Sequence, residues 1–207
     1  MQSSKLSRRR LLQASIGIGC GLLIPGSARA GNIHRLSGKV FINKEPATPD
    51  STIRANDRVT TSRNGRISFS IDGDAFMLKE YTSMIIESKD DSIIDSLRLL
   101  TGRLLSVFQT GRKRSIITTN ATIGIRGTAC FLKALPSNLY YCNCYGKTVL
   151  HAKNMSEVFE ATHHNAHQID FSGDEVMGMS VAKVIDHDDD ELRELEAYVG
   201  RVPKFDQ

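Results

Sequence analysis

The chain has 207 residues, four cysteines, no tryptophan, and 27 Lys and Arg against 23 Asp and Glu, for a formal net charge of +4. Five of the basic residues and none of the acidic ones lie in the first thirty positions, so the remainder carries 22 basic and 23 acidic side chains and offers no electrostatic case for nucleic acid. The length suits one domain or a domain with an extension, large enough to bury a core built mainly from Ile, Leu, Val and Phe.

Residues 1–30 have a charged start (Lys5, Arg8, Arg9, Arg10), an apolar run from Leu11 to Ile24, a breaker at Pro25, and Ala28-Arg29-Ala30. That order is a secretory signal helix with cleavage expected after Ala30. The apolar run is shorter than the roughly 20 residues of a membrane-spanning helix, so no permanent span is expected after cleavage. Ser7-Arg8-Arg9-Arg10-Leu11-Leu12-Gln13 resembles the twin-arginine signal, which implies bacterial export of a folded protein to the periplasm; an ordinary leader with an arginine-rich start is the alternative. Cys20 lacks the upstream leucine of a lipid-attachment site and reads as a leader residue.

Beyond the leader the pattern is one of short strands separated by turns. Candidates are 38–43, 58–61, 65–71, 74–79, 82–88, 96–109 bent at Gly102, 114–119, 127–134, 138–144, 147–152 and 156–162. Gly65-Arg66-Ile67-Ser68-Phe69-Ser70-Ile71 alternates apolar with polar residues, giving one face to bury, and Asn64-Gly65 and Asp72-Gly73 are hairpin dipeptides. Strands at this spacing predict an all-β fold, an antiparallel sandwich or roll. A short C-terminal helix is expected where Asp188-Asp189-Asp190-Glu191 precede Leu192, Leu195 and Val199. Carboxylates there complement the helix dipole, and the run lacks the glycine and alternating oxygens of a calcium loop.

The most specific stretch is RSIITTNATIGIRGTACFL, residues 114–132. Ile116, Ile117, Ile123 and Ile125 are apolar, Gly124 and Gly127 supply backbone freedom, and Arg126 brings five donors that an apolar setting would have to satisfy. Thr119, Ala121, Gly124, Ile125, Arg126, Gly127, Thr128 and Phe131 resemble the hallmark of the FecR-domain family. Ser37-Gly38-Lys39-Val40, Asp57-Arg58-Val59-Thr60-Thr61 and Leu97 to Leu104 fit its earlier segments, so the resemblance covers about residues 36–135. It implies an extracytoplasmic all-β domain, best known in membrane-spanning regulators that relay siderophore status to a sigma factor. Only about ten residues precede the apolar run, too few for the cytoplasmic sigma-binding domain of those regulators, so the relay role does not transfer. Within the hallmark, Arg126 and Thr128 are expected to hold the bend.

Residues 136–186 form a β extension similar to a subset of exported FecR-domain proteins with a Cys-x-Cys-Tyr-Gly segment followed by His-His, here Cys142, Cys144, Tyr145, Gly146, His163 and His164. Residues two apart on a strand share a face, so both thiols project together. His163 and His167 are four apart, and with Cys142, Cys144 and His164 they make a candidate metal set suited to zinc, copper or iron. Met177 and Met179 are possible soft additions, more simply read as core. An oxidising envelope offers the competing outcome of a disulfide from Cys130 to Cys142 or Cys144, and unbridged buried thiols are the third. His34 and His151 have no evident partners in the sequence, and residues 187–207 are the helix and tail.

No nucleophile elbow, metalloprotease helix or phosphate loop is present, so enzymatic activity is not expected. The readings carried forward are a binding or sensing module for an envelope protein or peptidoglycan partner, a metal-handling protein, and a structural envelope module.

Overall fold

A computed structural model describes residues 31–89 and 94–207. The leader, its cleavage point after Ala30 and the arginine pair lie outside the described residues. The strands are β1 (Ile33–Ser37), β2 (Val40–Ile42), β3 (Glu45–Pro46), β4 (Arg58–Thr61), β5 (Arg66–Ile71), β6 (Asp74–Leu78), β7 (Ser83–Glu87) and β8 (Ser96–Val107), followed by β9 (Arg114–Ile117), β10 (Thr122–Ile125), β11 (Ala129–Leu135), β12 (Asn138–Ala152), β13 (Met155–Ala161), β14 (Asn165–Ser172) and β15 (Glu175–Val181). One α-helix, α1 (Asp189–Tyr198), follows them.

The strands form a two-layered, mostly antiparallel all-β fold. The first sheet runs β1-β5-β6-β8-β11-β12-β14-β15 and the second β3-β2-β4-β7-β8-β9-β10-β12-β13. Strands β8 and β12 belong to both sheets because each bends halfway. The bends fall at Gly102 (φ +101°) and Gly146 (φ +86°), a backbone region that costs other residues strain. A Cβ on Gly102 would lie 2.4 Å from Thr82 Cα, so close packing also requires glycine there. The bend at Gly102 agrees with the sequence reading. At Gly146 the reading of two strands is corrected, since 138–152 is one continuous strand carried round a corner. A second correction is that β8 and β9 pair in parallel.

Apolar side chains from both sheets meet between the layers, among them Phe69, Phe76, Leu97, Ile116, Leu132, Tyr141 and Leu150. The strands after residue 135 share both sheets and this core with those before it. The outer face of the first sheet is apolar as well, with Met77, Leu105, Val107, Phe131, Tyr140, Cys142 and Cys144, and α1 covers it with Leu192 and Leu195. Burying each leucine contributes roughly 1.5–3 kcal/mol. The helix begins as expected: the Asp188 carboxylate accepts from the Glu191 N–H at 2.9 Å, capping an acidic first turn. Glu191 then ties the helix to the sheet through Lys79 at 2.8 Å and through Arg66.

Candidate metal centre

Inward-facing Leu139 and Tyr141 fix the pleat of β12 and turn Cys142 and Cys144 to the outer face, under the C-terminal segment. Cys142 stands opposite Phe131 of β11 on one side and Ala166 of β14 on the other. Two histidines from separate loops close over the thiols. His164 sits in the β13–β14 loop with φ +45°, and its N–H donates to Cys144 O at 2.8 Å, anchoring the ring beside the strand. Its Nδ1 is 3.5 Å from Cys142 Sγ. His187, from the segment between β15 and α1, places Nε2 3.5 Å from Cys144 Sγ and stacks on Phe131 with ring centroids 4.5 Å apart. The four ligand atoms of Cys142, Cys144, His164 and His187 lie within 4.8 Å of one another.

The hydrogen bonds outside the cluster select the tautomers. His187 Nδ1–H donates to Ile185 O at 2.8 Å, and His164 Nε2–H donates to Asp189 Oδ1 at 2.9 Å. Each ring therefore commits its outer nitrogen to a fixed acceptor and leaves the other, Nδ1 of His164 and Nε2 of His187, facing the thiols, as a histidine held by an outer carboxylate or carbonyl does when it ligates a metal. The thiols are prepared too. A hydrogen bond from Cys144 pulls the Cys142 thiol well below its ordinary range against the cost of burial, with His164 and His187 adding to the effect. Burial and the facing Cys142 push Cys144 up. Cys142 in turn raises His164, with burial opposing and Asp189 adding.

Tetrahedral zinc with bonds of about 2.3 Å to sulfur and 2.0–2.1 Å to nitrogen separates its S and N ligands by about 3.5 Å. Both Cys–His distances already have that value, and the remaining separations, all within 4.8 Å, would have to close to tetrahedral spacing around an ion.

The sequence-derived set is corrected at two positions. His167 falls on the interior side of β14 against Phe159, with ring centroids 4.9 Å apart, and is not among the four. Between it and His163 the chain turns through the positive φ of His164, so the four-residue spacing does not place them together. His163 is half-exposed, packs on Phe205, and donates to the same Asp189 oxygen at 2.8 Å; it flanks the centre with His164 and Asp189 but does not face the sulfurs. His187, which the sequence reading left in the helix-capping run, takes the fourth place. Met177 and Met179 are exposed on edge strand β15. The disulfide is also corrected: Cys130, Cys142 and Cys144 are all free, and Cys130 points into the interior beside Ser106 Oγ at 3.4 Å, on the opposite face from the pair. Burial pushes the Cys130 thiol up to about 12. His34 and His151 do have partners, Ser70 Oγ at 2.7 Å and Ser156 Oγ at 3.0 Å.

The family-like stretch divides in role. Thr119 is exposed at the bend before β10, Ala121 and Ile125 are buried, and Gly124 pairs with Ser115 and Val149. Gly127 (φ +63°) brings the turn against Thr110, where a Cβ would lie 2.8 Å from Thr110 Cα. Thr128 is fully buried, and its hydroxyl lies within hydrogen-bonding reach of both Tyr145 O and Asn143 Oδ1, so its single proton ties the turn to the bend of β12. Arg126 is exposed beside Arg112 and Lys113 and does not brace the bend, contrary to the sequence reading. Phe131 is the wall on which His187 stacks. Thr128→Val should therefore cost about 1–3 kcal/mol in chemical denaturation by orphaning buried acceptors, whereas Arg126→Ala should stay within about 0.5 kcal/mol.

No family model matches the chain, and no curated protein is significantly similar to it. The solved structures similar to it include two crystal structures, at 1.65 and 2.50 Å resolution, of a candidate anti-sigma factor from Parabacteroides distasonis. Each has a TM-score of 0.52 and 13% identity, covering 61% of this chain and 60% of that one. The chain thus spans about three fifths of the proteins it resembles, and what it shares with a candidate anti-sigma factor is the β fold.

Proposed function

We propose that this chain is an exported, non-enzymatic sensing module of the bacterial envelope, built on a FecR-like β domain, whose Cys142/Cys144/His164/His187 centre holds a thiophilic metal ion, zinc foremost. The observation that carries the metal reading is the convergence of two thiols and two imidazole nitrogens, each ring held from outside by Asp189 or Ile185, from β12, the β13–β14 loop and the segment before α1. Four protein ligands close a tetrahedral site and leave no open position for substrate, which favours a structural or sensing ion over a catalytic one. Mixed soft donors would also accept copper(I) or iron. The fold shared with a candidate anti-sigma factor supports a regulatory role, and the twin-arginine-like leader supports folded, already metal-loaded export.

Envelope fractionation of the native host with elemental analysis of the purified protein tests this. The expected result is periplasmic protein with one equivalent of zinc. Metal-free protein from the periplasm that takes up no zinc, copper(I) or iron in vitro would leave the centre as a thiol cluster and remove the sensing role assigned to it.

A further inference from the structure

We propose that metal at this centre is a latch that holds α1 on the outer face of the first sheet, so that metal loss releases the C-terminal segment and uncovers that face. The inference rests on the metal reading above and assigns the site its regulation. Its basis is how the ligands are divided. Cys142, Cys144 and His164 belong to the sheet and its β13–β14 loop, whereas His187 belongs to the segment leading into α1. The outer shell is divided in the same way: Asp189, the first residue of α1, holds His164 of the sheet side, while Ile185 holds His187 within the segment. A metal ion binding all four ligands therefore crosslinks two parts of the chain that otherwise meet through side-chain packing and ion pairs.

Those other ties are individual hydrogen bonds, ion pairs and side-chain packing, to which a four-ligand crosslink adds. The segment from Ala182 to Asp188 forms no helix or strand; Ala182 N–H donates to Ala166 O at 2.9 Å, Tyr140 Oη accepts from Ile185 N–H at 3.3 Å and donates to Lys183 O at 2.9 Å, and Asp186 pairs with Arg103 at 3.1 Å and Lys133 at 3.2 Å while its carbonyl accepts from Lys79. The ten-residue helix α1 is held by Leu192 and Leu195, the Glu191 ion pairs, Glu196 accepting from Tyr145, Glu194 paired with Arg35 at 3.3 Å, Asp189 accepting from His163 at 2.8 Å, and Tyr198 stacked on His34. A helix this short is not stable by itself in water. Beneath it lie Met77, Leu105, Val107 and Phe131, bordered by Lys79 and Arg66, whose carboxylate Glu191 leaves with the helix. Release thus replaces a charged helical surface with an apolar strip and two unpaired cations, a change that another envelope protein can read. Ions that bind the docked state with four ligands and the released state with three stabilise docking by the ratio of the two affinities.

Hydrogen exchange read by mass spectrometry on the full chain, with zinc and after chelation, tests the latch, with bound zinc measured on the same samples. The expected result is that amides of 189–198 exchange at least about tenfold faster without zinc, while those of 130–134 in β11 change less than about twofold. Unchanged exchange in 189–198 although zinc binds overturns the latch and leaves the metal site standing, as does loss of protection spread evenly through both sheets. Absence of zinc binding overturns the metal reading and the latch with it. Linkage supplies a second arm: Leu192→Ala/Leu195→Ala, which touches no ligand, should raise the zinc Kd at least about tenfold. An unchanged Kd in that variant, with the β fold intact by circular dichroism, would sink the latch.

Discussion

Replacing His187 by alanine should weaken zinc binding by about 100-fold or more, whereas His167→Ala should leave it within about twofold. Losing an outer-shell partner already costs about 10–100-fold in metal affinity, and a lost ligand costs at least the upper end of that range. His187 supplies a lone-pair nitrogen 3.5 Å from Cys144 Sγ, with its other nitrogen committed to Ile185 O. His167 is turned to the interior side of β14 against Phe159. Cys142→Ser and Cys144→Ser should resemble His187→Ala, and Cys130→Ser should resemble His167→Ala, because the Cys130 sulfur lies across the sheet from the other two. Competition against a chromophoric chelator measures the affinities. Cobalt substitution gives an independent reading: sulfur-to-cobalt charge-transfer bands should survive His167→Ala at full intensity, fall to about half in either single cysteine variant and vanish in the double one. Equal losses for His167 and His187 would refute the four-ligand centre described above.

The largest expected loss of stability is for Asp74→Ala, about 3–5 kcal/mol. Asp74 is fully buried and accepts from Arg114 Nε at 2.9 Å and from the Gln109 N–H at 2.7 Å. Desolvation holds its carboxyl above the ordinary carboxylate range, with Gln109 and Arg114 pulling the other way. Burial of this group thus costs more than its partners return, as is common for ion pairs taken out of water. Deleting one member is nevertheless severe, because the Arg114 guanidinium would remain buried with Asp72 as its nearest other carboxylate, at 3.8 Å. The double variant Asp74→Ala/Arg114→Met should recover much of the loss, since it removes the orphaned charge. Urea denaturation of the two variants decides the matter. A double variant no more stable than the single one would place the cost in packing or in the Gln109 hydrogen bond.

Much of the fold was legible because period-two alternation is a local property. The strand over 65–71, the bend of β8 at Gly102 and the Asp188 cap of α1 each follow from residues within a few positions of one another. Strands β14 and β15 lie outside the strands expected from the sequence, because β14 buries Ala166 on one face and Ile169 and Phe171 on the other, so its apolar residues do not alternate strictly with polar ones. The corner at Gly146 reads in the sequence as a break, since glycine marks both strand ends and bends and the sequence does not show whether hydrogen bonding continues beyond it.

The candidate centre divides along the same line. That Cys142 and Cys144 share a face was fixed by their spacing on a strand. Which face they share was decided by the interior, which claimed Tyr141, Leu139 and Cys130 and left the pair outward. The fourth ligand was also a tertiary outcome: His187 lies 43 residues from Cys144 within an acidic run that carries no metal spacing. It reaches the sulfurs because Leu192 and Leu195 bury themselves on the outer face of the first sheet and draw the preceding residues over the thiols. Local periodicity orients side chains relative to their own strand or helix, whereas burial of two apolar faces against each other decides which distant side chains meet.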